Sequence, residues 1–302
     1  MPSQSLKGSP LSNPFGLGLL VALSFVFGPA PALQSQEKPY FITYSQDLEE
    51  PGNLEIESKT TLGQPEDANR FGAMNVEFEY GVLAWWTTEL YLDGQTTADE
   101  STLFTGFRLE NRFRPLMREH FINPVIYVEY EDINGADKML LEVVGHDGQA
   151  DLSEPNDEAR KEQKHEAELK LILSSNVKDW NISENFIAEK NLNHSPWEFG
   201  YAAGVTRPLR SLASAKPCAF CLEKFIAGVE AYGGLGDTDS LTLADTSHYI
   251  APIIGWQLRR GRLSFSPGFG LTSTSLDRVY RIGLSFEINQ FGSYFRAGKG
   301  GA

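Results

Sequence analysis

The chain is poor in the residues that hold metals and cofactors: two cysteines and five histidines occur in 302 residues. His120, His146, His165, His194 and His248 share no metal-ligand spacing, and no activating motif surrounds His194-Ser195 or His146-Asp147. A metal centre, a bound cofactor and a rim hydrolase of the Ser/His or Asp/His kind are therefore not expected. Bases are also scarce, with 26 Lys+Arg against 40 Asp+Glu and a net charge of −14. That balance excludes nucleic acid as a partner and disfavours anionic membrane surfaces. Long apolar runs are missing too. The longest, Phe15 to Phe27, falls short of the ~20 residues of a membrane-spanning helix. It follows Lys7 and precedes Gly28-Pro29-Ala30-Pro31-Ala32, which reads as a cleaved secretory signal peptide over 1–32.

What is present is alternation. In Arg262–Leu271 the residues Leu263, Phe265, Pro267, Phe269 and Leu271 share one face, with Arg262, Ser264, Ser266, Gly268 and Gly270 on the other. After a turn the pattern resumes, with Tyr280, Ile282, Leu284, Phe286 and Ile288 opposed to Arg281, Gly283, Ser285 and Glu287. A period of two places each set on one side of a β-sheet. The same rhythm predicts strands over 53–61, 71–80, 85–92, 103–113, 123–131, 166–173, 180–189, 197–205, 224–232 and 248–258. In 103–113 Leu103, Thr105, Phe107 and Leu109 share the outward phase. The strand over 180–189 is the least regular, since Glu184 falls in phase with Trp180, Ile182, Phe186 and Ala188, which a bulge or a locally inward bend would explain. No helix is required after the signal peptide.

About twelve strands result, spanning 53–288, with an extended lead-in at 33–52 on the side of the termini and a tail at 289–302. Long connections fall mostly on one side and tight turns mostly on the other, with 206–222 the exception. Such asymmetry is a property of membrane barrels. The face opposite the apolar one decides between a barrel in lipid and a soluble sandwich. A sandwich would expose long polar side chains there and avoid glycine. Here it mixes Gly200, Gly204, Gly228, Gly255, Gly268, Gly270 and Gly283 with charges of both signs. Trp85, Trp86, Trp180, Trp197, Trp256 and Tyr280 lie near strand ends, as interfacial girdles do. The fold class is an all-β, antiparallel, up-and-down transmembrane β-barrel; a soluble secreted β protein is the alternative.

The signal peptide, the strand rhythm and the closing Tyr280-x-Ile282-x-Leu284-x-Phe286 pattern resemble bacterial outer-membrane β-barrel proteins, and the layout is similar to that of uncharacterised outer-membrane transporter barrels. The resemblance covers nearly all of 33–302 as architecture. It implies location in the cell outer membrane, outer-membrane lipids and the barrel-assembly machinery as partners, and a small solute as cargo. Such barrels usually end on an aromatic residue; here Asn289–Ala302 follows the last strand, and Phe286 or Phe291 would take that role.

Inward phase assigns Glu77, Glu79, Glu89, Glu110, Glu129, Glu168, Glu198, Glu230 and Glu287, with Arg108, Arg112, Lys170, Lys224, Arg262 and Arg281, to the lumen. These charges either pair across strands and fill the barrel or line a wet channel, and acids outnumber bases. With ~12 strands the lumen is wider than the ~8-stranded case that side chains alone fill, so partial hydration is expected. The function expected is a passive channel or transporter for small solutes; a structural, binding or rim-enzymatic barrel is the other reading. Cys218 and Cys221, in an exported chain, are expected to form a local disulfide, with a metal or redox role as the alternative.

Overall fold

The computed structural model describes residues 38–139, 144–193, 196–212, 214 and 218–296. The expected signal peptide and His194-Ser195 lie outside these residues. The strands are β1 (Leu54–Gly63), β2 (Phe71–Leu83), β3 (Trp86–Thr97), β4 (Thr102–Phe113), β5 (Asn123–Asn134) and β6 (Gln163–Val177). They are followed by β7 (Trp180–Asn191), β8 (Glu198–Pro208), β9 (Phe225–Asp237), β10 (His248–Gln257), β11 (Gly261–Gly270) and β12 (Arg278–Ile288). Each pairs antiparallel with its sequence neighbour, and β1 pairs with β12 from Leu54↔Ile288 to Gly63↔Val279, closing the barrel. We call the end where Asn53 and Asn289 lie the terminal mouth, and the other the loop mouth.

The outer face is apolar: Leu90, Leu92, Leu109, Ile126, Phe186, Ile250, Phe265 and Ile282 are all exposed. Near the terminal mouth Trp85, Trp86 and Phe113 stack, as do Trp256, Phe225 and Phe220, while Trp180 carries Arg207 over its ring. Flat amphipathic rings at a fixed height are what a lipid–water boundary selects. The disulfide Cys218–Cys221 closes a tight loop in this region, and the Ala219 carbonyl accepts the Trp256 indole N–H.

Four local expectations change. Thr105 points inward, because the β3–β4 register shifts between Asp93 and Gly94. Gly106 makes the bulge possible: its φ is +156°, and a Cβ there would lie 2.1 Å from the Asp132 carbonyl oxygen. Glu184 needs no bulge. The β7–β8 ladder runs in step from Asn181↔Thr206 to Glu189↔Glu198, so Glu184 simply stands outward. Two short helices, Asn156–Ala159 and Phe291–Arg296, occur where none was required.

The fourth concerns the lead-in. Residues 39–49 are buried almost throughout, and they lie inside the barrel rather than beside it. From Asn53 the chain rises into the lumen, reaches its deepest point near residues 41–44, and returns, so that Lys38 Nζ meets Asp47 Oδ2 at 3.0 Å. Lys38 and Asp47 both lie at the terminal mouth, beside Trp180, Pro208 and Gln257, and we call this segment the inserted loop. From the loop mouth the β5–β6 connection also folds inward. Its Met139, Val144 and Leu152 join Tyr40, Phe41, Ile42, Phe71, Tyr232, Tyr249 and Val279 in an apolar core within the barrel. Two segments of chain thus occupy the interior of the barrel.

Candidate functional site

The inward surface is built by register. Successive antiparallel strands set glutamates directly opposite one another: Glu287↔Glu55, Glu55↔Glu79, Glu79↔Glu89, Glu89↔Glu110, Glu110↔Glu129, Glu129↔Glu168, Glu168↔Glu189 and Glu189↔Glu198. Because directly opposed residues follow the hydrogen-bond direction and barrel strands tilt, this row climbs as a staircase. It starts at Glu287 and Glu55, near the terminal mouth, and ends at Glu198, the first residue of β8 at the loop mouth. Opposed like charges on one face are unfavourable. Cations must compensate.

In the lower half they do. Arg112 spans three steps, with Nη2 at 2.7 Å from Glu79, Nε at 2.6 Å from Glu89 and Nε at 3.0 Å from Glu110. Its ring neighbour is Tyr44 of the inserted loop. Lys59 holds Glu77 at 2.9 Å and Glu57 at 3.6 Å, and Arg262 reaches Glu57 at 3.4 Å. The Tyr91 hydroxyl donates among Glu89 and Glu110 at 2.6 and 2.8 Å. Higher up, Arg108 is committed to Asp93 through Nε at 3.1 Å and Nη2 at 3.0 Å, leaving Nη1 3.7 Å from Glu129. Lys170 pairs with Glu168 at 2.7 Å and lies over the Tyr127 ring. A charge buried here without a partner would cost several kcal/mol.

Above this level the staircase opens into a cavity of about 280 Å³ lined by nine carboxylates and two lysines, Lys138 and Lys164. Glu131, Asp147, Glu166, Glu189 and Glu198 belong to it. Asp147, on the loop, has its carboxyl pushed above the usual range by burial, against the opposing pull of Lys164.

The inserted loop is fixed to the wall through side chains. Glu230 accepts three successive backbone N–H groups, Phe41 at 3.0 Å, Ile42 at 2.9 Å and Thr43 at 2.7 Å. Consecutive amides forming a concavity are a natural seat for one carboxylate. The Tyr44 hydroxyl donates to Glu110 at 3.1 Å, Tyr40 donates to Asn181 Oδ1 at 2.9 Å, and the Glu49 amide reaches Glu79 at 3.2 Å. Inward glycines make the room. A Cβ on Gly204 would meet the Tyr40 ring at 2.3 Å, one on Gly255 would meet Pro39 at 2.7 Å, and one on Gly283 would meet Phe41 at 3.3 Å.

Of the residues assigned to the lumen, Glu77, Glu79, Glu89, Arg108, Glu110, Arg112, Glu129, Glu168, Lys170, Glu230, Arg262, Arg281 and Glu287 are buried inside the barrel. Glu198 is half-buried at the cavity. Lys224 is not in the wall: it ends the 3₁₀ turn Leu222–Lys224 before β9, because that strand starts one residue later than the alternation implies. Arg281 bonds the Tyr232 hydroxyl, and Glu287 accepts from Asn53 Nδ2 at 2.7 Å. The inward set also contains Glu55, Glu57, Lys59, Asp93, Glu131 and Glu189. The first three alternate against Leu54 and Ile56 in the sequence; Asp93 hides in a polar run that β3 in fact extends through. His146 turns to the Ser240 carbonyl at 3.0 Å and Asp237 at 3.8 Å.

No protein-family model matches the chain, and no curated protein matches it. Solved structures do. An outer membrane channel from Pseudomonas putida F1 is 10% identical, with 83% of this chain and 99% of that one covered at a TM-score of 0.50. The KdgM porin is 6% identical over 77% of this chain and 98% of its own, at a TM-score of 0.45. The outer membrane phospholipase A from Escherichia coli is 10% identical over 85% and 95%, at 0.39. At such identities likeness speaks to fold alone. With the apolar outer belt, the closed ladder and the aromatic girdle, that fold is an outer-membrane β-barrel.

Proposed function

We propose that this barrel is a channel for small solutes that favours cations, rather than a rim hydrolase, and that the inserted loop closes it in the conformation described here. The observation that carries the reading is the unbroken glutamate staircase from one mouth to the other. A filled structural barrel needs no continuous line of one charge, whereas a conducting path gains from successive sites of like sign. Closure by a loop held through side chains leaves the wall ladder intact when the loop leaves. The test is recording of the refolded protein in planar bilayers under a salt gradient. The full chain should be nearly silent, and Glu230→Ala should conduct with a cation-selective reversal potential. Further substitution of Glu189 and Glu198 by Gln should reduce that selectivity. A loop-released variant that carries no current, or prefers anions, would overturn the reading.

A further inference from the structure

At the step between Glu129 and Glu168 compensation is incomplete. Glu129 and Glu131 of β5 and Glu168 of β6 each bring a carboxylate oxygen within 4.8 Å of the other two. Glu129 is 1% exposed, and neither of its oxygens accepts a hydrogen bond; Glu131 is equally buried, with Oε1 also lacking one. The ion pair at Glu129 is the 3.7 Å contact with Arg108, whose Nε and Nη2 are taken by Asp93. The other triad, Glu77, Glu79 and Glu89, is different, since Lys59 and Arg112 sit among its carboxylates. Glu131 and Glu168 also line the 280 Å³ cavity, which gives the triad a route to solvent at the loop mouth.

We propose that Glu129, Glu131 and Glu168 bind a divalent cation, Ca²⁺ rather than Mg²⁺, at the floor of the acidic cavity. The size fits. Oxygens bound to one Ca²⁺ at about 2.3–2.6 Å lie at most about 5 Å apart, and Ca²⁺ accepts irregular sets of carboxylates where Mg²⁺ demands a near-octahedral one. The charge fits as well: a dication neutralises the directly opposed pair Glu129↔Glu168 that Arg108 and Lys170 only partly screen. The seven other carboxylates of the cavity concentrate cations at the entrance. The site does not depend on conduction, since a closed barrel would hold the ion equally well.

The experiment titrates Tb³⁺, and then Ca²⁺ as competitor, into the full-length refolded protein in zwitterionic micelles, with folding of each variant verified by heat-modified gel mobility. Tyrosine-sensitised Tb³⁺ emission should saturate and be displaced by Ca²⁺. Glu129→Gln should weaken binding at least ~10-fold, as loss of a ligand does, and Glu131→Gln should weaken it as well. Glu158→Gln, on the exposed face of the outer loop, should leave it unchanged. Absence of saturable binding overturns the site, and so does folded Glu129→Gln binding with wild-type affinity or Glu158→Gln weakening binding as much as Glu129→Gln.

Discussion

Asn185 grips both poles of one residue of the inserted loop: its Oδ1 accepts the Tyr44 N–H at 2.6 Å, and its Nδ2 donates to the Tyr44 carbonyl at 3.0 Å. The amide side chain thus does for Tyr44 what a neighbouring strand would do. Asn185→Ala leaves a buried donor and acceptor unmet, each costing roughly 1–3 kcal/mol. Amide exchange of residues 41–44 should accelerate markedly while the wall strands keep their protection. Mass-resolved hydrogen exchange checks this, and equal acceleration in β6 and β8 would contradict it.

Gly204 offers a steric version of the same test. Valine suits a strand better than glycine, so Gly204→Val should leave the wall folded while its Cβ evicts Tyr40 from a space 2.3 Å away. Thr43, buried in the closed form, reports the outcome. In a Thr43→Cys background, with Cys218 and Cys221 already bonded to each other, maleimide labelling should be slow while Gly204 is retained and fast once Gly204→Val is added. Equally slow labelling in both would mean that Tyr40 keeps its seat.

Glu49 gives the inserted loop a pH dependence. Burial, together with the carboxylates of Glu55 and Glu287, raises its carboxyl from 4.5 to about 8. The docked loop therefore favours the protonated acid. Its contribution to docking is full below pH 4.5 and is lost as pH rises through about 8. Labelling at Thr43→Cys, corrected for the intrinsic reactivity of the thiol, should increase over that window, and Glu49→Gln should flatten the profile. A corrected rate that falls with pH would reverse the sign and reject the assignment.

The lipid face makes opposite predictions for two residues. Ile282, outward on β12 between Phe265 and Thr60, should not tolerate Arg, which costs roughly 2–4 kcal/mol at the bilayer midplane. Glu184 already places a carboxylate outward, four residues from Trp180, or about 13 Å along the strand. Glu184→Leu should stabilise the barrel, on the order of 1 kcal/mol. Urea titration of refolding into vesicles measures both, and a loss of stability in Glu184→Leu would mean that this carboxylate has a partner outside the barrel.

The wall was legible because a period of two is local: Leu263 through Leu271 announce their face without help from the rest of the chain. Register is not local. Alternation says that Glu79, Glu89 and Glu110 point inward, but only turn lengths and bulges decide that they stand directly opposite, so the staircase could not be read before the strands were paired. Gly106 illustrates the limit, since one extra residue reversed Thr105. The inserted loop was illegible for another reason. Its backbone is satisfied by Glu230 and Asn185, from distant strands, and a segment surrounded on all sides has no face to alternate. The inward glycines are visible in the sequence, but not what three of them face: Gly255, Gly204 and Gly283 are the seat of Pro39, Tyr40 and Phe41.

Because Lys38 meets Asp47 at the neck of the inserted loop, the occluding segment enters and leaves through a single opening. A bight of rope pushed into a pipe can be withdrawn without finding its end, and the pipe need not be assembled around it. In the described residues no pair of wall strands is formed around the occluding segment, so the topology lets the β1–β12 seam seal and the lumen become occluded in either order.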